Sequence, residues 1–365
     1  MRAREKGILI GRMAPGPLNK ISDVPGVRVG HYTLDTEKYK TGVTVVLPCP
    51  DSPYDRPLTA ASFVFNGFGK TTGLLQVDEL GSLETPVALT GTLNVGLVHD
   101  ALVEYTIRQS PQPVKTVNPL VCECNDSGLS FSADRPVKKE HVFAAIESAG
   151  ADFAEGDVGA GKGLRCHGLK GGIGSASRIV KLEGAGKSPQ EEARQGGVPS
   201  QGPSPGEALP EASYTLGVLI QTNHGSLPDL CLAGLPAGRK IAARLQAEGE
   251  DKGSVIVVAA TDAPLSDRQL RRVLKRAVTG LARAGSYFGS GSGDVFVGFS
   301  TCAANRIPRE GPALRMVQLL AEDQLDLFFR AMAEATEEAL VNSLLAAGPV
   351  TGFDGRRVRS LPEFI

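Results

Sequence analysis

Tryptophan is absent from this 365-residue chain, and no charge of either sign is in excess. Lys and Arg number 39 against 40 Asp and Glu, and the formal net charge of -1 supplies no field to hold nucleic acid or an anionic membrane surface. No apolar run reaches transmembrane length. Residues 1–6 are basic, but the short GILIG stretch that follows is too brief for a secretory core, so the expected address is cytoplasmic, with no membrane partner. The six cysteines, Cys49, Cys122, Cys124, Cys166, Cys231 and Cys302, are scattered and do not make the disulfide framework of a small domain. Cys122-Glu123-Cys124 suggests a metal, but no second Cys pair or His pair has zinc spacing. Buried free thiols are expected, with no metal and no other cofactor. None of the five histidines has an obvious partner in sequence, so no Ser-His-Asp triad can be argued, and His99 reads as structural.

What is present is glycine, 44 of them, a count that favours close backbone packing and many tight turns. The apolar fraction of 41% and charged fraction of 22% fit a soluble globular protein long enough for one large domain or two ordinary ones. Segments 41–47, 61–65, 214–221, 254–260 and 295–299 are rich in β-branched residues, bounded by turn residues, and predict strands. Ser266-Asp267-Arg268-Gln269 is a capping box, and Leu270, Val273, Leu274, Ala277, Val278 and Leu281 then fall on one helical face. A second helix is expected over 322–345, with Leu325, Phe328, Met332, Ala335 and Ala339 on its inner stripe, and a third over 140–149. Segment 183–212 has almost no large apolar residue to offset the entropy of ordering it, and predicts a mobile surface insertion. Strands and helices mix without a βαβα rhythm, which fits two packed sheets with helices outside better than a doubly wound parallel sheet.

Two glycine loops resemble nucleotide motifs and fail on context. GDVGAGKG at 156–163 nearly makes a phosphate-binding P-loop, but Gly163 stands where a hydroxyl must bind Mg²⁺, and LRCHG does not open a helix after it. GSGSGD at 289–294 follows a helix and precedes a strand, the reverse of the dinucleotide-binding order. It does offer Ser292 and Asp294, a hydroxyl and a carboxylate two residues apart, although an ordinary tight turn would look the same.

The most informative dipeptide is Gly253-Ser254, where a polar, glycine-bearing segment meets a buried-looking strand. Glycine offers no side chain to block attack on its carbonyl, and it tolerates strained backbone. If Ser254 Oγ attacks that carbonyl, the resulting ester can hydrolyse and leave a free α-amine on Ser254. Such an amine titrates at about 7.7–8.0 and can act as a general base beside its own hydroxyl. A solvated loop opening a core strand is the plainer alternative. Asn223 follows the 214–221 strand segment, where an amide can donate to an oxyanion or simply form a turn. Glu123 points to the opposite strand face from Cys122 and Cys124, either at a surface or awaiting a cation.

Taken together, these segments resemble the L-aminopeptidase/D-esterase and β-peptidyl aminopeptidase family, the DmpA type of self-cleaving serine peptidase. The resemblance begins at NKISDVPGVRVGH (19–31) and continues through TGVTV (41–45), NGFG (66–69) and LTGTLNVGLVHDA (89–101). It then takes in 156–163, KGGIGSASR (170–178), the Gly253-Ser254 strand, 289–294 and ATEEA (335–339). It implies an α+β fold of the N-terminal-nucleophile kind, an αββα four-layer sandwich in one domain, cut into chains 1–253 and 254–365. It also implies that Ser254 is the nucleophile, that Ser292 and Asp294 support it, that Asn223 is the oxyanion donor, and that Glu123 receives the substrate's free amine. Some relatives carry Glu where this chain has Asp294. Asn125 stands where an aromatic residue is usual, and Leu129-Ser130-Phe131 replaces the usual Leu-Asn-Asp, so substrate preference is the least transferable feature. The expected substrate is a small peptide, amide or ester, and the expected assembly a homo-oligomer of processed units. The alternatives are a nylon-oligomer amidase or an ornithine-type acyltransferase, both of which use Thr where this chain has Ser254, and a binding protein of the same fold that has lost processing.

Overall fold

The computed structural model describes residues 1–182, 213–246, 253–311 and 313–365. The expected mobile insertion at 183–212 lies outside these residues. The strands are β1 (Arg28–Asp35), β2 (Lys40–Leu47), β3 (Leu58–Gly67), β4 (Ser82–Leu83), β5 (Val87–Gly91), β6 (Leu120–Cys124), β7 (Arg165–Cys166), β8 (Leu169–Lys170), β9 (Ile173–Lys181), β10 (Ser213–Asn223), β11 (Ser254–Thr261), β12 (Gly293–Ser300), β13 (Val350–Thr351) and β14 (Arg357–Val358). The α-helices are α1 (Leu74–Leu80), α2 (Val95–Gln109), α3 (Lys139–Glu147), α4 (Ala237–Leu245), α5 (Asp267–Leu274), α6 (Ala277–Arg283) and α7 (Leu325–Ala346).

Two sheets dominate. One has four strands in the order β1-β2-β5-β6, the other six in the order β4-β3-β12-β11-β10-β9. Pairing is antiparallel except for β5 with β6 and β11 with β12. β11 is buried along its whole length because it is central in the larger sheet. Its alternate residues feed different cores, as a period of two requires. Val255, Val257 and Ala259 join the core shared with α5, α6 and α7. Ile256, Val258 and Ala260 join a second core with Val46, Val87, Leu89, Leu120 and Cys122 of the four-stranded sheet. A third core packs Val43, Val45, Ala88 and Val121 of that sheet under Val98, Leu102, Val142 and Ile146 of α2 and α3.

The predicted capping box forms. Ser266 Oγ accepts from Gln269 N at 3.1 Å, and Gln269 Oε1 accepts from Ser266 N at 3.1 Å. The single helix expected after it is two, α5 and α6, broken at Lys275-Arg276. The apolar stripe survives the break, because Leu270, Val273, Leu274, Ala277 and Leu281 are all buried.

The glycine run at 156–163 contains one short 3-10 turn, Gly159–Gly161, and leads into β7 instead of a helix. Its polarity also runs against phosphate binding. The carbonyl oxygens of Gly161, inside the run, and of Leu164 and Gly171 beyond it accept from the buried Lys170 Nζ at 2.9, 2.9 and 2.6 Å. A P-loop turns its N–H groups to an anion, whereas Gly161 turns its carbonyl to a lysine amine.

Candidate active site

Ser254 opens β11 and is buried, with 8% of its surface exposed. It lies on the strand face that Ile256 and Val258 turn toward the four-stranded sheet. Its Oγ accepts from Gly293 N–H at 3.1 Å. Among the described residues no histidine hydrogen-bonds to it. The residue before it is held as closely as a backbone allows: a Cβ on Gly253 would sit 1.5 Å from the Asn223 carbonyl oxygen, so no larger residue fits there.

Antiparallel pairing sets Asn223 directly opposite Ser254 across β10 and β11. Two bonds fix the orientation of its side-chain amide. Asn223 Oδ1 accepts from Arg165 N–H at 3.1 Å, and Nδ2 donates to the Asn125 carbonyl at 3.1 Å. Asn125 is exposed, and its Oδ1 accepts from Ser127 N–H at 2.9 Å. Parallel pairing on the other side sets Val255 against Asp294, where a register shift interrupts β12. Ser292 Oγ donates to Asp294 Oδ1 at 2.6 Å, and both residues are fully buried. The loop before them is pinned where Asn66 Nδ2 donates to the Gly289 carbonyl at 2.9 Å.

Glu123 arrives from the other sheet, opposite Thr90 on β5 and only 3% exposed. Its carboxylate accepts from Lys70 N–H at 2.9 Å and from the Thr92 hydroxyl. Among the described residues no Lys, Arg or His side chain lies within ion-pair distance of it. Gly69 lies between it and the Ser254 side, since a Cβ there would lie 3.6 Å from Glu123 Oε1 and 3.9 Å from Gly293 Cα. The neighbouring thiols are inert. Burial pushes Cys122 up to about 12, and burial with Glu123 nearby pushes Cys124 well above the usual thiol range.

The arrangement therefore brings together a serine hydroxyl, an anchored amide, a Ser-Asp pair and a carboxylate without a cation. A serine hydroxyl so placed can accept an acyl group, and an anchored amide beside it can donate to an oxyanion. Sequence reasoning missed the groups that hold these side chains: the N–H groups of Gly293, Lys70 and Arg165, and the Thr92 hydroxyl. Thr92 stands inside the 89–101 block and Lys70 directly follows the 66–69 block, which is where a signal was available.

The pattern of peptidase family S58 matches residues 19–358. The chain is 36% identical over 388 residues to the β-peptidyl aminopeptidase BapA of Sphingosinicella xenopeptidilytica, covering 99% of this chain and 89% of that one. Among solved structures it is similar to a Burkholderia sp. β-aminopeptidase, with TM-score 0.84, 38% identity, and 99% and 96% of the two chains covered. It is likewise similar to the L-aminopeptidase D-Ala-esterase/amidase of Ochrobactrum anthropi, described as a variant of the Ntn hydrolase fold, with TM-score 0.84, 31% identity, and 99% and 95% covered. A family match over most of the chain, and relatives aligned almost end to end, lead to one conclusion: the chain belongs to peptidase family S58 and is an aminopeptidase.

Proposed function

We propose that the enzyme is a serine aminopeptidase that activates itself by cutting between Gly253 and Ser254. The observation that carries this reading is the position of Ser254 Oγ, on a Gly293 N–H and across from Asn223, with a buried carboxylate without a cation nearby. In the uncut chain Ser254 Oγ attacks the Gly253 carbonyl carbon. The C–N bond breaks, the nitrogen takes up the hydroxyl proton, and water hydrolyses the resulting ester. The α-amine so released is the general base for later turnovers.

In turnover, Glu123 holds the ammonium of a small peptide, amide or ester, and so sets the scissile carbonyl one residue away against Ser254 Oγ. Asn223 Nδ2 donates to the oxyanion, and the Ser292–Asp294 pair orients the nucleophile and its amine. Water then releases the acyl group. We further read residues 1–365 as one self-processing domain with αββα layering. Support comes from three cores: one between the larger sheet and α5, α6 and α7, one between the two sheets, and one between the smaller sheet and α2 and α3.

Unblocked aminoacyl p-nitroanilides are therefore expected to react at least about 100-fold faster in kcat/KM than N-acetylated ones, because the acetyl group removes the charge that Glu123 would meet. Equal rates on both would refute an exopeptidase site built on Glu123.

A further inference from the structure

Behind Asn223 lies a cluster that the peptidase chemistry does not use. β7 and β8 form a hairpin whose two-residue turn is His167-Gly168, both in the left-handed region at φ 49° and 71°. Asn or Gly occupies such a turn at least cost. Here a histidine does, with its side chain wholly buried. Histidine enters that backbone region more readily than most residues, so the observation that counts is its side chain turned inward and wholly buried. Its ring is also held in one orientation. His167 Nδ1 lies 2.8 Å from the Ser226 carbonyl, which fixes the proton on Nδ1 and makes Nε2 the basic nitrogen. His167 N–H donates to the His224 carbonyl at 2.7 Å. Gly225, at φ 88°, makes room for the ring, since a Cβ there would lie 2.5 Å from His167 Nδ1.

The ligand atoms of Cys166, His167 and His224 lie within 4.8 Å of one another, and the three residues are 0, 0 and 3% exposed. We propose that they form a zinc site that clamps Asn223. One thiol and two imidazoles is a borderline-soft donor set of the kind zinc takes. Ligand atoms around a tetrahedral zinc are roughly 3.3–3.8 Å apart, so the side chains need to close by only about 1 Å, and with three protein ligands a water takes the fourth position. On binding, the Cys166 thiol loses its proton to solvent, and a sulfur–zinc bond forms. The carbonyl on His167 Nδ1 is the outer partner that metal-binding histidines ordinarily have.

The placement gives the site its task. Cys166 and His167 directly follow Arg165, whose N–H holds Asn223 Oδ1, and His224 directly follows Asn223. A metal bound to all three would pin both ends of that bond. Cys166, His167 and His224 are thus positioning residues, and the metal takes no part in the reaction itself. This task rests on the reading of Asn223 as oxyanion donor, while the metal site does not.

The test uses the full-length purified protein, equilibrated with Zn²⁺, dialysed against metal-free buffer and analysed for metal content. One zinc per chain is expected. Cobalt(II) in its place should give a thiolate-to-cobalt charge-transfer band. Cys166→Ser should abolish that band, and His224→Gln should weaken zinc affinity about 10–100-fold. Removing the metal should lower kcat about tenfold with KM little changed. Wild-type protein that retains no stoichiometric zinc and gives no such band would overturn the site, whatever the variants do. Retained zinc with kcat unchanged on its removal would overturn the clamp. Asn223→Ala keeps the bands distinct from the catalytic reading: it should still bind one zinc while losing activity, and activity intact in that variant would refute the oxyanion role alone.

Discussion

Glu123 and Glu338 are both carboxylates taken out of water, 3% and 0% exposed, and the fold treats them in opposite ways. Glu338, on α7, accepts from Arg4 at 2.8 and 3.0 Å, from Arg178 at 2.7 Å and from Asn19 Nδ2 at 2.6 Å. Burial alone would push its titration up, but Arg4, Arg178 and Asn19 outweigh that and hold it below the usual carboxylate range. Among the described residues Glu123 has one backbone N–H and one hydroxyl, and no cation. A buried carboxylate with its cation supplied from within is a piece of architecture, whereas one without a cation is open to a cation from outside, the role proposed for Glu123. The proposed cut sharpens the contrast. Arg4, Asn19 and Arg178 would belong to the first product and Glu338 to the second, so the neutralised cluster ties together what cleavage separates.

The strongest way to break this comparison is to remove the charge that is fully paired. Glu338→Gln leaves the buried Arg178 with only its longer ion pair to Glu334, at 3.3 Å, and should cost about 3 kcal/mol of stability, read by denaturant unfolding. The folded fraction should keep its kcat. A loss below about 1 kcal/mol would mean that the cluster is as replaceable as a surface pair. The receptor carboxylate should behave in the reverse manner. Glu123→Gln should leave stability nearly unchanged while lowering kcat/KM for free-amine substrates about 100-fold, and acetylated substrates should change little. An unchanged ratio of the two kcat/KM values would remove Glu123 from the site.

His31 shows a third treatment of a buried titratable group, which is to keep it neutral. Burial, opposed by the Ala154 carbonyl and assisted by Lys20, lowers it from 6.5 to about 4. Its ring nitrogens lie 2.9 Å from Thr44 Oγ1 and 3.1 Å from the Ala154 carbonyl. The folded value lies below the unfolded one, so as pH falls from about 6.5 toward 4 the unfolded chain takes up the proton first. Stability should drop across that window by about 2 kcal/mol, less than the full shift implies because the residue is not completely buried. His31→Gln should flatten this part of the profile of Tm against pH. An identical profile in the variant would show that another group carries the dependence.

The sequence foretold the elements whose signal is local. β11 announced itself as a β-branched run after glycine, α5 through its capping box, and α7 through its apolar stripe. β1 and β5 carry no comparable signal, and of β6 only the Cys122-Glu123-Cys124 alternation reads as strand, because five residues buried on both faces show no polar pattern. Cys122 and Cys124 do face the inter-sheet core, as their spacing around Glu123 required. The proposed nucleophile and its proposed partners can be read only through the family's motifs, and the composition gives no hint of them. What no residue pattern could show is the set of backbone N–H donors, from Gly293, Lys70 and Arg165, because an N–H belongs to every residue except proline. The Cys166, His167 and His224 cluster stayed hidden for a related reason. Its ligands come from two segments far apart in the chain, which only the meeting of the β7–β8 hairpin with the end of β10 brings together.

The central claim is that Ser254 becomes an N-terminal nucleophile by cleavage, and the intact mass of purified, active protein tests it most directly. The account predicts two chains, one ending at Gly253 and one beginning at Ser254, with Ser254→Ala remaining a single inactive chain. A single mature chain of 38.2 kDa with full activity on aminoacyl amides would contradict it.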